Sequence, residues 1–302
     1  MCGDSRPHGG ENHRRFRAPP ALLVVTAATL WGTTGTSRAL GPDDASPLAV
    51  GAVRVALGGG ILLFLAARRG LRLQGWAPVP VAIAVGAMAA YQPLFFAGVS
   101  KAGVAVGTVV GIGTSPIAGG ILGRVVRHEP LGVHWVIATV LGISGAVLLG
   151  SSGSDTGEDV ALGLLLAIGA GIAYAIYVSA SARLLDDHPA DDVAAVALGG
   201  AGVVLVPVAV IAGVGWLASA EGVAMAAWLG IVTVVIAYPL LARGLEHVGV
   251  AATATLTLAE PATAAVLGLV VLDERLDAAG WVGLLLVASG VAVEALRVRN
   301  LR

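Results

Sequence analysis

Charged residues are scarce in this 302-residue chain. Asp, Glu, Lys and Arg make up only 12% of it, while 57% is hydrophobic. A soluble domain carries about 25% charged residues, so this composition excludes an ordinary soluble protein. The formal net charge of −1 gives no reason to expect a nucleic-acid partner. The scarcity of charge indicates a protein whose surface faces lipid.

Cysteine and aromatic residues are also few. The single cysteine, Cys2, excludes an intramolecular disulfide and a cysteine-pair metal site. Aromatic residues make up only 5% of the chain, so the apolar content is mainly Ala, Val, Leu and Gly, which suits closely packed membrane helices. The sequence contains no Walker A motif, so ATP is not expected as the direct energy source. No cofactor, metal site or catalytic residue is predicted.

Long apolar segments fill most of the chain. A membrane-spanning helix needs roughly 20 apolar residues, and breaks at charge clusters and turn residues define ten such segments. They are 20–38, 47–67, 76–99, 102–123, 130–150, 160–182, 192–213, 222–242, 248–272 and 277–296. The sequence therefore predicts an all-α integral membrane protein with ten transmembrane helices.

The distribution of basic residues predicts the orientation of these spans. If the N-terminus is cytoplasmic, 14 of the 18 Lys and Arg residues fall on the cytoplasmic side. Only Arg38, Lys101 and Arg275 fall outside, and Arg54 lies within a span. Positive residues are concentrated in cytoplasmic loops of membrane proteins. We therefore predict a multi-pass protein of the cell membrane with both termini cytoplasmic.

The second half of the chain repeats features of the first about 145 residues later. Ser115-Pro116 is matched by Glu260-Pro261, and Glu129 by Glu274. Each half holds five predicted spans, and an odd number inverts the second half relative to the first, as in many secondary transporters. The predicted organisation is a disordered basic cytoplasmic tail (1–19), two inverted five-helix repeats (20–150 and 160–296) and a cytoplasmic tail (297–302).

Several segments resemble a known family. Leu30–Thr34 and Arg54 are similar to the opening of the EamA module of the drug/metabolite transporter superfamily, and Leu258–Pro261, Leu272–Leu276 and Ala288–Val291 are similar to its end. The resemblance covers nearly all of the ten predicted spans. It implies a ten-helix inner-membrane carrier that moves small polar metabolites, often as an exporter.

Two ionisable residues lie inside predicted spans. Glu260 falls near the middle of the ninth, where an unpaired charge is costly, and its repeat counterpart is the uncharged Ser115. Its carboxylate binds a substrate amine, carries a proton or anchors a neighbouring helix. Arg54 receives a substrate carboxylate as a bidentate donor, pairs with Glu260 or snorkels to the interface. The residues alone leave these alternatives open.

Four prolines interrupt spans at matching places in the two halves, Pro93 with Pro239 and Pro116 with Pro261. Each removes an amide donor and bends its helix. Paired interruptions point to a substrate site at the membrane midplane, although kinks that serve packing alone are the alternative. With Glu260 and Arg54, the candidate cavity residues are Trp31, Thr33, Thr34, Tyr91, Gln92, Ser115, Tyr174, Tyr177 and Tyr238.

Small residues and loop carboxylates complete the pattern. Every fourth residue from Gly103 to Gly123 is Gly or Ser, which favours close helix packing, with a homodimer interface as the alternative. Glu129 and Glu274 begin the helices after spans four and nine. They are interpreted as caps that complement the helix dipole.

The function that these features predict is secondary transport of a small-molecule substrate, such as an amino acid, by alternating access around a central cavity. Proton coupling is permitted by Glu260 but not established. One alternative is a lipid or lipid-linked-sugar flippase, which would need a cavity open sideways to the bilayer. Another is an intramembrane prenyltransferase-like enzyme that uses the acidic segment Asp186–Asp192. That chemistry needs a second carboxylate cluster on the same side, and none is predicted there.

Overall fold

The computed structural model describes residues 18–151 and 159–300, which form helices joined by short loops, with no strand among them. Residues 1–17 of the predicted disordered tail and the last two residues of the predicted C-terminal tail lie outside the described residues.

The first half of the chain forms five helices. They are α1 (Pro20–Ala39), α2 (Pro47–Arg68), α3 (Pro78–Ala102), α4 (Val104–Val126) and α5 (Val133–Ser151).

The second half begins with two helices, α6 (Val160–Leu184) and α7 (Ala190–Ala212), followed by a 3-10 turn at Gly215–Ala218. Two long helical segments follow, and we call each a rod. The first rod has three parts: α8 (Ala220–Gly230), a π-helical segment (Ile231–Ile236) and α9 (Ala237–Val248). The second rod consists of α10 (Val250–Leu256) and α11 (Ala259–Val271), with a break in the helix at Thr257 and Leu258. The last helix is α12 (Ala278–Asn300).

Local sequence explains where these helices begin. Proline occupies the start of α1, α2 and α3, where its missing amide would have no partner in any case. The Ser46 hydroxyl accepts a hydrogen bond from the Ala49 amide, and the Asp159 carboxylate accepts one from the Leu162 amide, so that α2 and α6 are capped.

Nine helical segments among the described residues are long and apolar enough to cross a membrane. The helix α1 is not one of them, because its C-terminal half contains Thr33, Thr34, Thr36, Ser37 and Arg38. Its 20 residues would nevertheless reach about 30 Å, the thickness of a bilayer core. The tenth membrane crossing therefore stays a prediction.

The packing of the helices follows the internal repeat. The helix α2 packs against its counterpart α7, and α5 packs against its counterpart α12. The helices α3 and α4 pack against α6, and α9 and α11 pack in the same manner against α1, the counterpart of α6. This is the pairing expected when two similar halves are related by a two-fold axis.

One end of the bundle collects arginines. There the end of α2, the end of α4, the α6–α7 loop, the first turn of α7 and α9 meet. Ion pairs join Arg127 to Asp186, Arg243 to Asp191 and Arg69 to Asp192. These basic residues belong to the segments predicted to be cytoplasmic. We call this the arginine end of the bundle.

The small residues of α4 serve packing within the chain. A Cβ atom added at Gly107 would lie 2.6 Å from the Cα of Val99, and one at Gly119 would lie 2.6 Å from the Cβ of Ala254. These glycines let α3 and α10 approach α4 closely. The spacing therefore has an explanation that needs no second copy of the chain.

Candidate functional site

A small cavity of about 30 Å³ lies at the seam between the two halves. It is lined by residues of α1, α2, α3, α4, α6, α9 and α11 and of the α10–α11 break. Its lining residues are Trp31, Arg54, Tyr91, Gly111, Ile112, Ser115, Tyr174, Tyr238, Thr257 and Glu260. Seven of these are among the eleven candidate residues from the sequence. The structure thus brings the separated polar and aromatic candidates to one place.

Several polar groups at this cavity have no hydrogen-bond partner among the residues that the structure describes. Arg54 is 7% exposed, and its Nε atom is buried without a hydrogen bond, while its Nη1 donates only a long bond of 3.4 Å to the Thr34 hydroxyl. The hydroxyls of Ser115 and Tyr174 are likewise buried without partners. A buried polar group without a hydrogen bond is costly. The cavity is therefore lined by polar groups whose hydrogen-bonding capacity is not used by the described residues.

The Glu260 carboxylate faces the same cavity from the first turn of α11. It forms no hydrogen bond or ion pair with any residue that the structure describes, and in particular none with Arg54. The α-helical hydrogen-bond pattern is interrupted at Thr257 and Leu258, shortly before Glu260. A basic and an acidic side chain thus face one cavity without pairing.

Aromatic rings form one wall of the cavity. The rings of Trp31 and Tyr238 have centroids 4.9 Å apart, and Tyr174 packs edge-on against Trp31 at 6.1 Å. Tyr91 extends this wall, with its centroid 5.8 Å from that of Tyr174. Tyr177 stands behind the wall, 5.9 Å from Tyr238. Such contacts hold the rings in fixed positions around the polar groups.

The position of Trp31 depends on the π-helical segment. Its indole N–H donates to the carbonyl oxygen of Thr233, 2.9 Å away, in the middle of that segment. Pro239 lies in the first turn of α9. Because proline has no amide hydrogen, it donates no backbone hydrogen bond within the helix. Single-turn π segments are rare and often mark functional sites. Here the irregular backbone contributes the acceptor that orients a cavity-lining side chain.

Four candidates from the sequence lie outside the cavity lining. Thr34 does not line the cavity, but its hydroxyl accepts the hydrogen bond from Arg54, which does. The Thr33 hydroxyl donates to Leu30 and accepts from the indole of Trp228. Tyr177 is buried in the aromatic layer behind the wall.

Gln92 is the least expected of these four. It is fully buried, and neither the oxygen nor the nitrogen of its amide group has a hydrogen-bond partner in the described part of the chain. Its Oε1 atom faces Gly51 of α2, at 3.1 Å from the position of an added Cβ. It therefore lies at the α2–α3 interface rather than in the cavity.

Three lining residues were not among the sequence candidates. Gly111 and Ile112 carry no polar group and give no signal in an apolar span. Thr257 donates its hydroxyl to the carbonyl of Ala254 at the end of α10. Its position three residues before Glu260 is the sequence feature that could have identified Thr257 as a lining residue.

The acidic segment Asp186–Asp192 is occupied by ion pairs. Asp186 receives two hydrogen bonds from Arg127, at 2.6 and 2.8 Å, and one from Arg183 at 3.2 Å. These bonds lower the pKa of the Asp186 carboxyl and, in return, raise the pKa of the Arg127 guanidinium. Carboxylates already held by arginines are poor ligands for the magnesium ion that the enzyme alternative requires.

The chain matches the EamA-like transporter family twice, at residues 18–151 and 161–295. It is 39% identical over 274 residues to the uncharacterized transporter YwfM of Bacillus subtilis, which covers 90% of this chain and 92% of the relative. It is 28% identical over 264 residues to the threonine/homoserine exporter RhtA of Escherichia coli, covering 85% of this chain and 84% of RhtA.

A solved crystal structure has the same fold, with a TM-score of 0.81 over 95% of this chain and 99% of that one, at 21% identity. Because the two EamA-like matches cover nearly the whole chain, the family resemblance read from the sequence is confirmed. So is a multi-pass location in the cell membrane, to which the nine membrane-length helices also point. The chain belongs to the EamA-like transporter family.

Proposed function

We propose that this protein is a secondary transporter that exports small amino acids or related polar metabolites by alternating access. The observation that carries the proposal is that Arg54 and Glu260, a basic and an acidic side chain that do not pair with each other, both line one cavity. A zwitterion supplies a carboxylate for the first and an ammonium group for the second, and both protein charges are then compensated. The relative named a threonine/homoserine exporter supports this substrate class.

The aromatic wall suits the remainder of such a substrate. The ring faces of Trp31 and Tyr238 are apolar surfaces that carry a partial negative charge, which favours an ammonium group nearby. The free hydroxyls of Ser115 and Tyr174 add hydrogen-bonding capacity. These groups select a small polar molecule with one apolar side.

The size of the cavity requires the transporter to change shape. A volume of about 30 Å³ has room for water but not for an amino acid. We infer that the cavity widens when the irregular backbone beside it, the π segment and the α10–α11 break, rearranges. Proton exchange at Glu260 is one energy source for this cycle, since the same carboxylate would lose its proton as the amine binds.

The proposed topology has ten spans with both termini in the cytoplasm. It is supported by the arginine end, where the basic residues of four helix-end segments meet. The helix α1 would be the tenth span, with its polar residues turned toward the other helices. Placing the arginine end in the cytoplasm agrees with the positive-inside rule.

A lipid flippase is the second candidate, and one groove favours it. An apolar groove of about 1020 Å³ lies between α1, α11 and α12, lined by residues such as Leu22, Val266 and Leu284. Arg299 lies at one end of this groove. A lipid with an anionic headgroup would fit such a groove.

Counterflow in proteoliposomes tests the first proposal against the second. Vesicles loaded with unlabelled amino acid should accumulate labelled threonine or homoserine, and Glu260→Gln should reduce that uptake by about 30-fold or more, as expected for one lost buried charge contact. The matched control is Glu246→Gln, because Glu246 is exposed on α9 far from the cavity lining.

Undiminished uptake by the Glu260→Gln variant would refute the proposed site. A panel of amines and nucleosides in the same vesicles tests the substrate class. Translocation of a labelled phospholipid, with no amino acid counterflow, would replace the first proposal by the second.

A further inference from the structure

Two glutamates occupy equivalent positions in the two halves. Glu129 follows α4, and Glu274 follows α11. Each comes directly after a residue with positive φ, His128 (φ 56°) or Asp273 (φ 54°), and left-handed backbone is uncommon for residues other than glycine. The amide of Glu129 donates to Gly123 at 2.9 Å, and that of Glu274 donates to Gly268 at 3.0 Å.

The two side chains also rest on equivalent glycines. A carboxylate oxygen of Glu129 lies 2.6 Å from the position of a Cβ added at Gly123, and the atoms nearest to such a Cβ at Gly268 all belong to Glu274. A larger residue at either glycine would displace the carboxylate. The chain therefore builds the same local structure twice, about 145 residues apart.

Only one of the two carboxylates is engaged. Glu129 crosses to the other half of the molecule and caps α10, accepting hydrogen bonds from the amides of Val250 at 2.7 Å and Ala251 at 3.0 Å. The sequence-based interpretation, in which Glu129 caps the helix that follows it, is therefore wrong. Glu274 is exposed, and its carboxylate makes no hydrogen bond to any described residue.

The engaged cap closes a contact between the halves. Gly249 has a positive φ of 84°, which turns the first amides of α10 toward Glu129. Beside this cap, Ala254 of α10 packs on Gly119 of α4. In the repeat, Gly103 has a matching φ of 93° and opens the first turn of α4. That turn is the equivalent partner for Glu274.

We propose that Glu129 and Glu274 are reciprocal latches of the transport cycle, so that each caps its helix only in one of the two alternating states. This inference rests on the proposed alternating-access function. In the structure described above, the Glu129 latch is closed and joins α4 to α10 near the arginine end. In the opposite state, Glu129 releases α10 and Glu274 caps the first turn of α4. An inverted repeat exchanges the roles of its halves, so one closed and one open latch is the arrangement expected in either end state.

Hydrogen exchange measured by mass spectrometry on the purified protein in nanodiscs tests the reciprocity. In the variant Glu129→Ala, the amides at the start of α10 should exchange about tenfold faster or more, because charge-assisted hydrogen bonds are lost. A helix cap with a purely structural role would produce that change alone. The latch model also requires the first turn of α4 to exchange more slowly than in the wild type, since Glu274 now engages it.

The double variant Glu129→Ala/Glu274→Ala provides the decisive comparison. The protection gained at α4 should disappear, because its acceptor has been removed. Faster exchange at α10 with no slowing at α4, or slowing that survives the loss of Glu274, would overturn the proposal. Glu221→Ala is the control and should leave both regions unchanged, since Glu221 is exposed in the first turn of α8, a helix separate from α4 and α10.

A milder variant guards against loss of folding. In Glu129→Gln, one side-chain oxygen remains as an acceptor, and the same two exchange rates should move in the same directions by smaller factors. Unchanged exchange at α4 in this folded variant would also contradict the proposal. Counterflow of the wild type is measured separately. A protein that fails to transport any tested substrate but shows reciprocal exchange would refute the proposed substrate class and not the latches.

Discussion

The two halves of the molecule accommodate equivalent prolines in different ways. Pro93 and Pro116 lie inside the uninterrupted α-helices α3 and α4 of the first half. In the second half, Pro239 follows a π-helical segment, and Pro261 follows the break between α10 and α11. The same residue at the same place in the repeat therefore coincides with regular helix in one half and with interrupted helix in the other.

This difference places the irregular backbone beside the cavity in one half only. Tyr238, Thr257 and Glu260 line the cavity from the interrupted rods, and the buried carboxylate belongs to that half. The first half contributes Arg54 and Ser115 from regular helices. Irregular helices leave backbone groups that side chains can use, as Trp31 uses the carbonyl of Thr233. We therefore expect substitutions at the irregular backbone of the second half to disturb transport more than matched substitutions in the regular helices of the first half.

Replacing Pro239 is expected to give the largest effect. With Pro239→Ala, an amide becomes available, and the rod from Ala220 to Val248 should become regular, which removes the acceptor that orients Trp31. We expect transport to fall about tenfold or more, because a misplaced cavity group no longer meets the substrate in the right geometry. Initial rates of counterflow measure this effect.

The matched control is Pro93→Ala in the continuous helix α3. Alanine is favoured over proline in a helix interior by up to about 3 kcal/mol, so this variant should raise the unfolding temperature and change transport less than Pro239→Ala does. Equal losses of transport in the two variants would show that the halves do not differ in the proposed way.

The sequence predicted the helices far better than the irregularities within them. Hydrophobic runs of about 20 residues located each rod, and aromatic or polar residues inside those runs led to seven of the ten lining residues. Pro239 marked the position of the interruption but not its type, because proline is compatible with both a kinked α-helix and a π segment. Nothing in the sequence distinguishes Tyr177, behind the wall, from Tyr174, in it, since both lie in the same helix three residues apart.

Long-range partners were beyond the reach of the sequence. Glu129 was interpreted as a cap for its own following helix, because local rules consider only neighbouring residues. Its actual partners lie more than 120 positions away. The Arg54–Glu260 pair was one of several alternatives, and only coordinates reveal that the two charges face one cavity without contact.

A smaller effect is expected from the indole that joins α1 to the π segment. Trp31→Phe keeps an aromatic ring but removes the indole N–H that donates to Thr233. The buried carbonyl of Thr233 then loses this hydrogen bond. We expect the unfolding free energy to fall by about 1–3 kcal/mol. Trp228→Phe is the control, because the indole of Trp228 is 48% exposed and donates only to Thr33, so its loss should cost less than about 0.5 kcal/mol. Similar costs in thermal unfolding would argue against a special role for the π segment.

The smallest effect is expected at the ion pair that joins the halves at the arginine end. The pKa of Asp186 is lowered by the hydrogen bonds from Arg127, so the carboxylate stabilises the fold above its ordinary pKa of 3.8, and that contribution is lost as the pH falls through its lower value in the folded protein. Because Asp186 is 39% exposed, solvent limits the contribution to about 1 kcal/mol or less.

Asp186→Asn should therefore lower the unfolding temperature slightly at pH 6 and lose that difference as the pH falls below about 4. Asp187→Asn serves as the control, since Asp187 is 63% exposed and pairs only with Arg183 in its own half. An equal response of the two variants would mean that contacts between the halves at this end add nothing beyond an ordinary surface ion pair.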